Sequence, residues 1–279
     1  MLSYRHAFHA GNFADVLKHS VMSLVLDYML RKDKGFSYID THAGAGMYRL
    51  TDASAQKTAE YLDGIAKLWQ RKDLPPELAE YIEIIHELND EGKLNVYPGS
   101  PAIAQQFMRR QDAGFLYDLH PADHALLDDL FINKRKMQVH KNNGFTALKG
   151  LLPPATRRSV VLIDPPYEMK TDYHDAVQAI IKGYKQFSGG TYILWYPVVQ
   201  RHYVEQMQQQ FSRSEVRNVL QIELQIAPDS EEFGMTGTGL FIVNPPWTLH
   251  QQVENILPYF VQHMGSDGSR YFVKQLVAE

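Results

Sequence analysis

Apolar positions fall at helical spacing over the first part of the chain: Phe13, Leu17, Val21, Leu24, Val25 and Tyr28 lie on one face. This predicts a helix that starts near Asn12, carries Asp15 in its first turn and ends at Lys32, Lys34 and Gly35. Short apolar runs follow at 36–40, 114–118, 137–140, 159–163 and 191–197, with two more at 219–225 and 239–243 and a weaker one at 271–277. Each reads as a strand. Helical patterns at 122–131, 146–151, 173–187, 201–211 and 252–264 alternate with them. Strands alternating with helices predict an α/β fold around a mostly parallel sheet.

The alternation is interrupted once. Residues 47–96 carry polar-faced helical patterns, broken by Asp73-Leu74-Pro75-Pro76, where a helix should directly follow the 36–40 strand. The segment reads as a small helical insertion. The delayed helix enters at Tyr97-Pro98-Gly99-Ser100-Pro101, with Ser100 as N-cap and Pro101 at the first helical position. That entry returns Ser100 toward the first strand. The stretch 231–239 is rich in glycine and reads as a mobile loop.

Four strand ends carry candidate chemistry. Asp40 opens the loop Thr41-His42-Ala43-Gly44-Ala45-Gly46, a D-x-x-x-G-x-G pattern in which the glycines let backbone come close to a ligand. It is neither G-x-G-x-x-G nor a P-loop, and an ordinary glycine turn would look the same. Asp118 ends the second strand, where an acid binds ribose hydroxyls. Asn143 and Gly144 follow the third and could frame an adenine. Asp164 ends the 159–163 run and opens Asp164-Pro165-Pro166-Tyr167. The two prolines fix φ and leave carbonyls without a competing N–H. Carboxylate, free carbonyl and aromatic plate suit a planar amine such as that of a nucleobase. By itself D-P-P-Y equally describes a strand-ending turn with a buried tyrosine; the glycine loop upstream favours an active site. Asn244-Pro245-Pro246-Trp247 has a similar pattern but comes too late in the chain, so it reads as the end of the last strand.

Composition narrows the partners little. The 279 residues are 44% hydrophobic and include no cysteine, which removes disulfides and thiolate zinc sites. Arg5, His6, His9, Asp15 and Lys18 interrupt the N-terminus, and no apolar run reaches spanning length, so a soluble cytoplasmic protein is expected. Net charge is −4, from 28 Lys and Arg against 32 Asp and Glu, which speaks mildly against tight nucleic-acid binding. The clusters Arg109-Arg110, Lys134-Arg135-Lys136 and Arg157-Arg158 soften that argument, each reading first as a solvated face.

Together, D-T-H-A-G-A-G at 40–46, L-I-D-P-P-Y-E at 162–168 and the N-terminal S-Y-R-H-A-F-H-A-G-N-F-A-D-V-L-K-H resemble the RlmJ family of bacterial 23S rRNA adenine-N6 methyltransferases. The resemblance extends through Y-P-G-S-P, K-T-D-Y, L-W-Y-P-V-V and N-P-P-W, nearly the whole chain. It implies one Rossmann-like class I domain over residues 1–279 that uses S-adenosylmethionine, with residues 47–96 inserted and residues 1–20 forming a tail over the cofactor. Asp164, Pro165 and Tyr167 would be catalytic. His19, His42, Gly44, Ser100, Asp118, Asn143, Gly144 and Asp164 would hold the cofactor. Tyr4, His6 and Lys18 would face RNA. Asp118 stands where the family has Glu and Asn143 where it has Asp, so a water would bridge to the ribose and the donor–acceptor balance at adenine would change. The implied substrate is adenine 2030 of 23S rRNA, protein-free or in early assembly; the enzyme would act as a monomer without a metal. Two alternatives share these features: a DNA adenine-N6 methyltransferase, with 47–96 recognising the target, and a non-catalytic RNA-binding assembly factor on the same scaffold.

Overall fold

The most buried strand comes from the most continuous apolar run. In the computed structural model, which describes residues 5–90, 92–229 and 234–279, β6 (Ser159–Ile163) is buried at every position. Val160 and Leu162 enter one core while Val161 and Ile163 enter the other, the split that a period of two gives a strand covered on both faces.

Around it stand β1 (Ser37–Asp40), β4 (Ala113–Tyr117), β5 (Met137–His140), β7 (Thr191–Val198), β8 (Val219–Gln225), β9 (Gly237–Val243) and β10 (Arg270–Val277). They form one sheet in the order β10-β8-β9-β7-β6-β1-β4-β5. Pairings from β5 through β4, β1 and β6 to β7 are parallel. β9 lies antiparallel between β7 and β8, and β10 runs antiparallel along β8. The chain builds outward from β1 to β4 and β5, then crosses back to β6. The switch point therefore lies between β1 and β6, and ligands of open α/β sheets bind at the carboxyl ends of strands at such a point. This is the Rossmann-like class I methyltransferase arrangement.

Helix α1 (Phe13–Leu30) departs from its expected one-sided pattern: it is buried almost all round, and Asp15, Lys18, His19, Ser20 and Ser23 are buried with its apolar residues. The sheet, α4 (Ser100–Phe107) and α9 (Leu249–Met264) enclose it. Asn12 caps it, accepting from the Ala14 and Asp15 N–H groups. Residues 13–20 are thus the first half of a central helix rather than a covering tail; only the turn His6–Phe8 precedes it among the described residues.

The 47–96 segment is less helical than its pattern predicts. It contains α2 (Ala53–Thr58), short 3-10 turns and α3 (Ala79–Glu87). Its ends pair as β2 (Met47–Arg49) and β3 (Val96–Pro98), an antiparallel ribbon that closes the excursion and delivers the chain to α4. Gly99, not Ser100, is the N-cap there; Ser100 is already helical. On the other face pack α6 (Gly144–Leu151), α7 (Asp172–Gln186) and α8 (Arg201–Ser212), while α5 (Pro121–Phe131) flanks β5. The terminal strand is a full edge strand, so β9 is not the last. Of the 231–239 loop, residues 231–233 lie outside the described residues, as does Tyr4.

Candidate active site

Asp164 leaves β6 at the switch point and does not stand alone. Lys18 Nζ donates to its Oδ2 at 2.6 Å and reaches Asp15 Oδ1 at 2.9 Å. Asp15 Oδ2 in turn meets His6 Nε2 at 2.8 Å and accepts the Gly11 N–H at 2.9 Å. Burial works against the Lys18 charge, but the two carboxylates outweigh it and raise its pKa. Burial likewise opposes the Asp15 charge, yet His6, Lys18 and His19 leave its carboxyl well below the usual range. The ammonium also lies 5.4 Å from the Trp195 ring centroid. Lys18 is therefore a buried cation held between two carboxylates rather than a solvated one. It is 3% exposed and orients the Asp164 carboxylate.

Tyr167 adopts a left-handed backbone, φ 53°, a conformation bulky residues reach only when their surroundings impose it. The surroundings are its hydroxyl, which donates to the Trp195 carbonyl, and two rings: Tyr173 at 4.5 Å and Trp195 at 5.6 Å between centroids. The aromatic plate beside Asp164 is thereby locked in place.

Across the switch point, Asp40 is buried. Tyr38 Oη donates to its Oδ2 at 2.8 Å and Ser100 Oγ at 2.7 Å, while the His42 N–H caps Oδ1 at 3.3 Å. Burial pushes this carboxyl up to about 6, partly offset by those donors. Gly44 takes φ +60°, and a Cβ there would lie 2.3 Å from Tyr48 Oη. Its N–H donates to Asp118 Oδ2 at 2.9 Å, and the His120 N–H donates to Oδ1 at 2.7 Å. The short Asp118 side chain thus pins the glycine loop to β4. Burial raises the Asp118 pKa. Asn143 caps α6 through the Thr146 N–H at 3.1 Å, a bond that needs only the carbonyl oxygen. Gly144 serves close packing, since a Cβ would lie 2.2 Å from the Thr41 carbonyl oxygen.

Two cavities meet at Asp164. The first, about 250 Å³, is lined by His19, His42, Gly44 and Ser100, and also by Asp118, Asn143, Gly144 and Pro165. Burial lowers the His19 pKa to about 3 and the His42 pKa to about 4, so both rings are neutral near pH 7. The second, about 580 Å³, is lined by Tyr167, Tyr173, Trp195 and Tyr203 with Asp15 and Glu60. His6, Lys18, Asp164, Pro166 and Glu168 border both. Every expected cofactor residue lines the first cavity, whereas Tyr167 belongs to the second. His6 stands at their junction, its ring 5.1 Å from that of Tyr48. Among the described residues no group of three or more His, Cys, Asp or Glu is placed to hold a metal ion.

Asp15, Trp195 and Tyr173 complete the site without having stood out in the sequence. Only the Asp15-x-x-Lys18 spacing carried a signal, an i,i+3 pair on one helix face. Within the basic clusters, Arg109 and Arg158 serve the fold. Arg109 binds Asp112 and the Lys32 carbonyl, and Arg158 binds the Lys34 and Met29 carbonyls, which ties down the end of α1.

The sequence matches a family model described as Ribosomal RNA large subunit methyltransferase D, RlmJ, over residues 33–276. It is 52% identical over 259 residues to Ribosomal RNA large subunit methyltransferase J of Escherichia coli, covering 93% of this chain and 92% of that protein. The protein of the same description from Haemophilus influenzae is 47% identical over 270 residues, 96% of each chain. The crystal structure of protein LPL1258 from Legionella pneumophila superposes with a TM-score of 0.90 at 38% identity, covering 96% of this chain and 98% of that one. An acid-tipped central strand, a glycine turn across the switch point and near full-length similarity converge on one assignment: the chain belongs to the RlmJ family of large-subunit ribosomal RNA methyltransferases.

Proposed function

We propose that this enzyme transfers a methyl group from S-adenosylmethionine to the exocyclic N6 of an adenine in 23S rRNA, adenine 2030 as the family resemblance implies, in the cytoplasm and on RNA that is protein-free or in early assembly. The observation that carries the reading is the position of Asp164, on the wall common to a polar, glycine-lined cavity and an aromatic one.

The first cavity fits the cofactor by its chemistry. The tight Gly44 turn brings backbone to its wall, Asp118 and Ser100 offer oxygens for hydroxyls and amines, and the Asn143 amide keeps its N–H₂ free for a purine ring nitrogen. S-adenosylmethionine bound there supplies an electrophilic methyl group on a sulfonium. The adenine enters the second cavity flipped from its stack. Tyr167 supports one face, a contact worth about 1–3 kcal/mol. Asp164 and the Pro165 carbonyl accept the two N6 hydrogens, which localises the nitrogen lone pair and aims it across the junction. Lys18 holds the carboxylate in register, so orientation and electrostatics supply most of the rate enhancement. The N6 proton becomes acidic only as the new N–C bond forms and leaves toward Asp164, so no strong base is needed.

The test is methylation of protein-free 23S rRNA by wild type and Asp164→Ala, with plasmid DNA alongside and cofactor binding followed by calorimetry. A folded Asp164→Ala variant that binds S-adenosylmethionine but is inactive supports the reading. Full activity in that variant refutes it, preferred methylation of DNA reassigns the substrate, and absent cofactor binding in wild type leaves a non-catalytic factor.

A further inference from the structure

The second cavity exceeds what one base requires. At about 580 Å³ it lies within the roughly 300–1,000 Å³ typical of pockets that enclose ligands of several rings. Its aromatic lining continues beyond Tyr167: Tyr173 follows at 4.5 Å, and Tyr203 stacks on Tyr173 at 4.7 Å with 15° between planes. Methyl transfer uses neither the Tyr203 hydroxyl nor the Gln200 amide that lines the cavity beside it. Both belong to the mouth: Gln200 is exposed and Tyr203 half-buried at the start of α8. Neither side chain has a hydrogen-bond partner among the described residues. The exposed His202 ring covers part of Tyr203 at 3.9 Å, so the free parts of Tyr203 are its edge and hydroxyl.

The carboxylates that line the cavity are engaged: Glu60 by His9 and Asn12, and Asp15 by Lys18. Lys170 lines the cavity too and is exposed, a cation that can meet a nucleotide phosphate.

We propose that Tyr203 and Gln200 form a subsite for the nucleotide adjacent to the methylated adenine, reading its base edge with a hydroxyl and an amide while its ring packs on the Tyr203 edge. The inference rests on the adenine reading above and adds to it which residues recognise the RNA around the target. It also requires both nucleotides to be single-stranded when bound.

The experiment is a double-mutant cycle between protein and RNA. Wild type, Tyr203→Leu, Tyr203→Phe and the surface variant Gln200→Ala are each assayed on a 23S rRNA fragment and on fragments made abasic at the 5′ or the 3′ neighbour of the target. Both kcat/KM for methylation and Kd are measured. For wild type, removing one of the two neighbouring bases should cost about tenfold, within the range of losing a base–aromatic contact. Tyr203→Leu should lose about the same on the intact fragment and nothing further on that abasic one. Tyr203→Phe should recover the part of the loss that the ring carries and keep the part that the hydroxyl carries, and Gln200→Ala should show a smaller loss that vanishes on the same fragment. Losses that simply add, or no loss with either abasic fragment, overturn the subsite. Coupling retained in Kd without methyl transfer by wild type would sink the catalytic reading and leave the subsite standing.

Discussion

Asp164-Pro165-Pro166-Tyr167 and Asn244-Pro245-Pro246-Trp247 are near copies in sequence, and each follows a strand buried along its whole length. Their fates differ because their strands run in opposite directions. β6 pairs parallel with β7, so Asp164 emerges level with Trp195, at the carboxyl edge where both cavities open. β9 pairs antiparallel with β7, and its last residue, Val243, lies opposite Tyr192. Asn244 therefore emerges at the start of β7, on the opposite edge of the sheet. There its amide donates to the Ser188 and Gly190 carbonyls, both at 2.7 Å, and its φ of 51° is one that Asn tolerates. One turn presents a carboxylate to a cleft; the other ties a loop to a strand. Local motif chemistry becomes function only when strand direction places it beside a partner cleft.

The largest effect should come at Asp164. Asp164→Asn should lower kcat for rRNA methylation by a factor on the order of 10³ or more, as loss of one preorganised charge in a site does. Lys18 keeps Asp15 as partner, so the melting temperature should move much less; single-turnover assays and thermal melts separate the two. Unchanged kcat would remove the distinction between the two turns.

A neighbouring strand end sharpens the contrast. Asp40 also ends a strand at the carboxyl edge, yet its oxygens turn inward to Tyr38 and Ser100. Its pKa rises from 3.8 to about 6 on folding, so the native state holds the proton more tightly than the unfolded chain. The sign follows: this contribution to stability is complete below pH ~4 and is lost as pH rises through about 6, up to ~3 kcal/mol for one such buried group. Urea titrations across pH 4–7 should show that decline in wild type and a flatter profile in Asp40→Asn.

Tyr167→Leu keeps apolar volume but removes the plate, so it should weaken RNA methylation by about 1–3 kcal/mol of transition-state free energy while leaving cofactor affinity unchanged. At the other edge, Asn244→Ala should cost about 1–3 kcal/mol of folding stability, because the Ser188 and Gly190 carbonyls lose their donor and a left-handed residue loses its tolerance. Methylation per folded molecule should not change. Smallest of all, Trp247→Ala, at a side chain 80% exposed, should shift stability by no more than about 0.5 kcal/mol and leave activity alone.

The strand ends were legible because buried parallel strands are short, unbroken apolar runs, and their next polar residue marks the carboxyl edge. Asp40, Asp118 and Asp164 could be singled out on that rule. Less legible was the 47–96 segment, where the β2–β3 pairing joins residues far apart in sequence and no local pattern announces it. The burial of Lys18 was illegible for a related reason. A lysine near an N-terminus is ordinarily solvated, and only the meeting of Asp15 and Asp164 around it makes burial tolerable.

Periodicity, strand-end acids and glycine spacing, all local in the chain, were enough to settle the α/β class and to single out Asp164 as the candidate carboxylate. Tertiary structure alone decided that Lys18 grips that carboxylate, that Asp118 also pins the glycine loop and that Tyr167, Tyr173 and Tyr203 line one cavity. Those contacts join residues from different elements, and their energies come from burial and proximity that no stretch of sequence contains by itself.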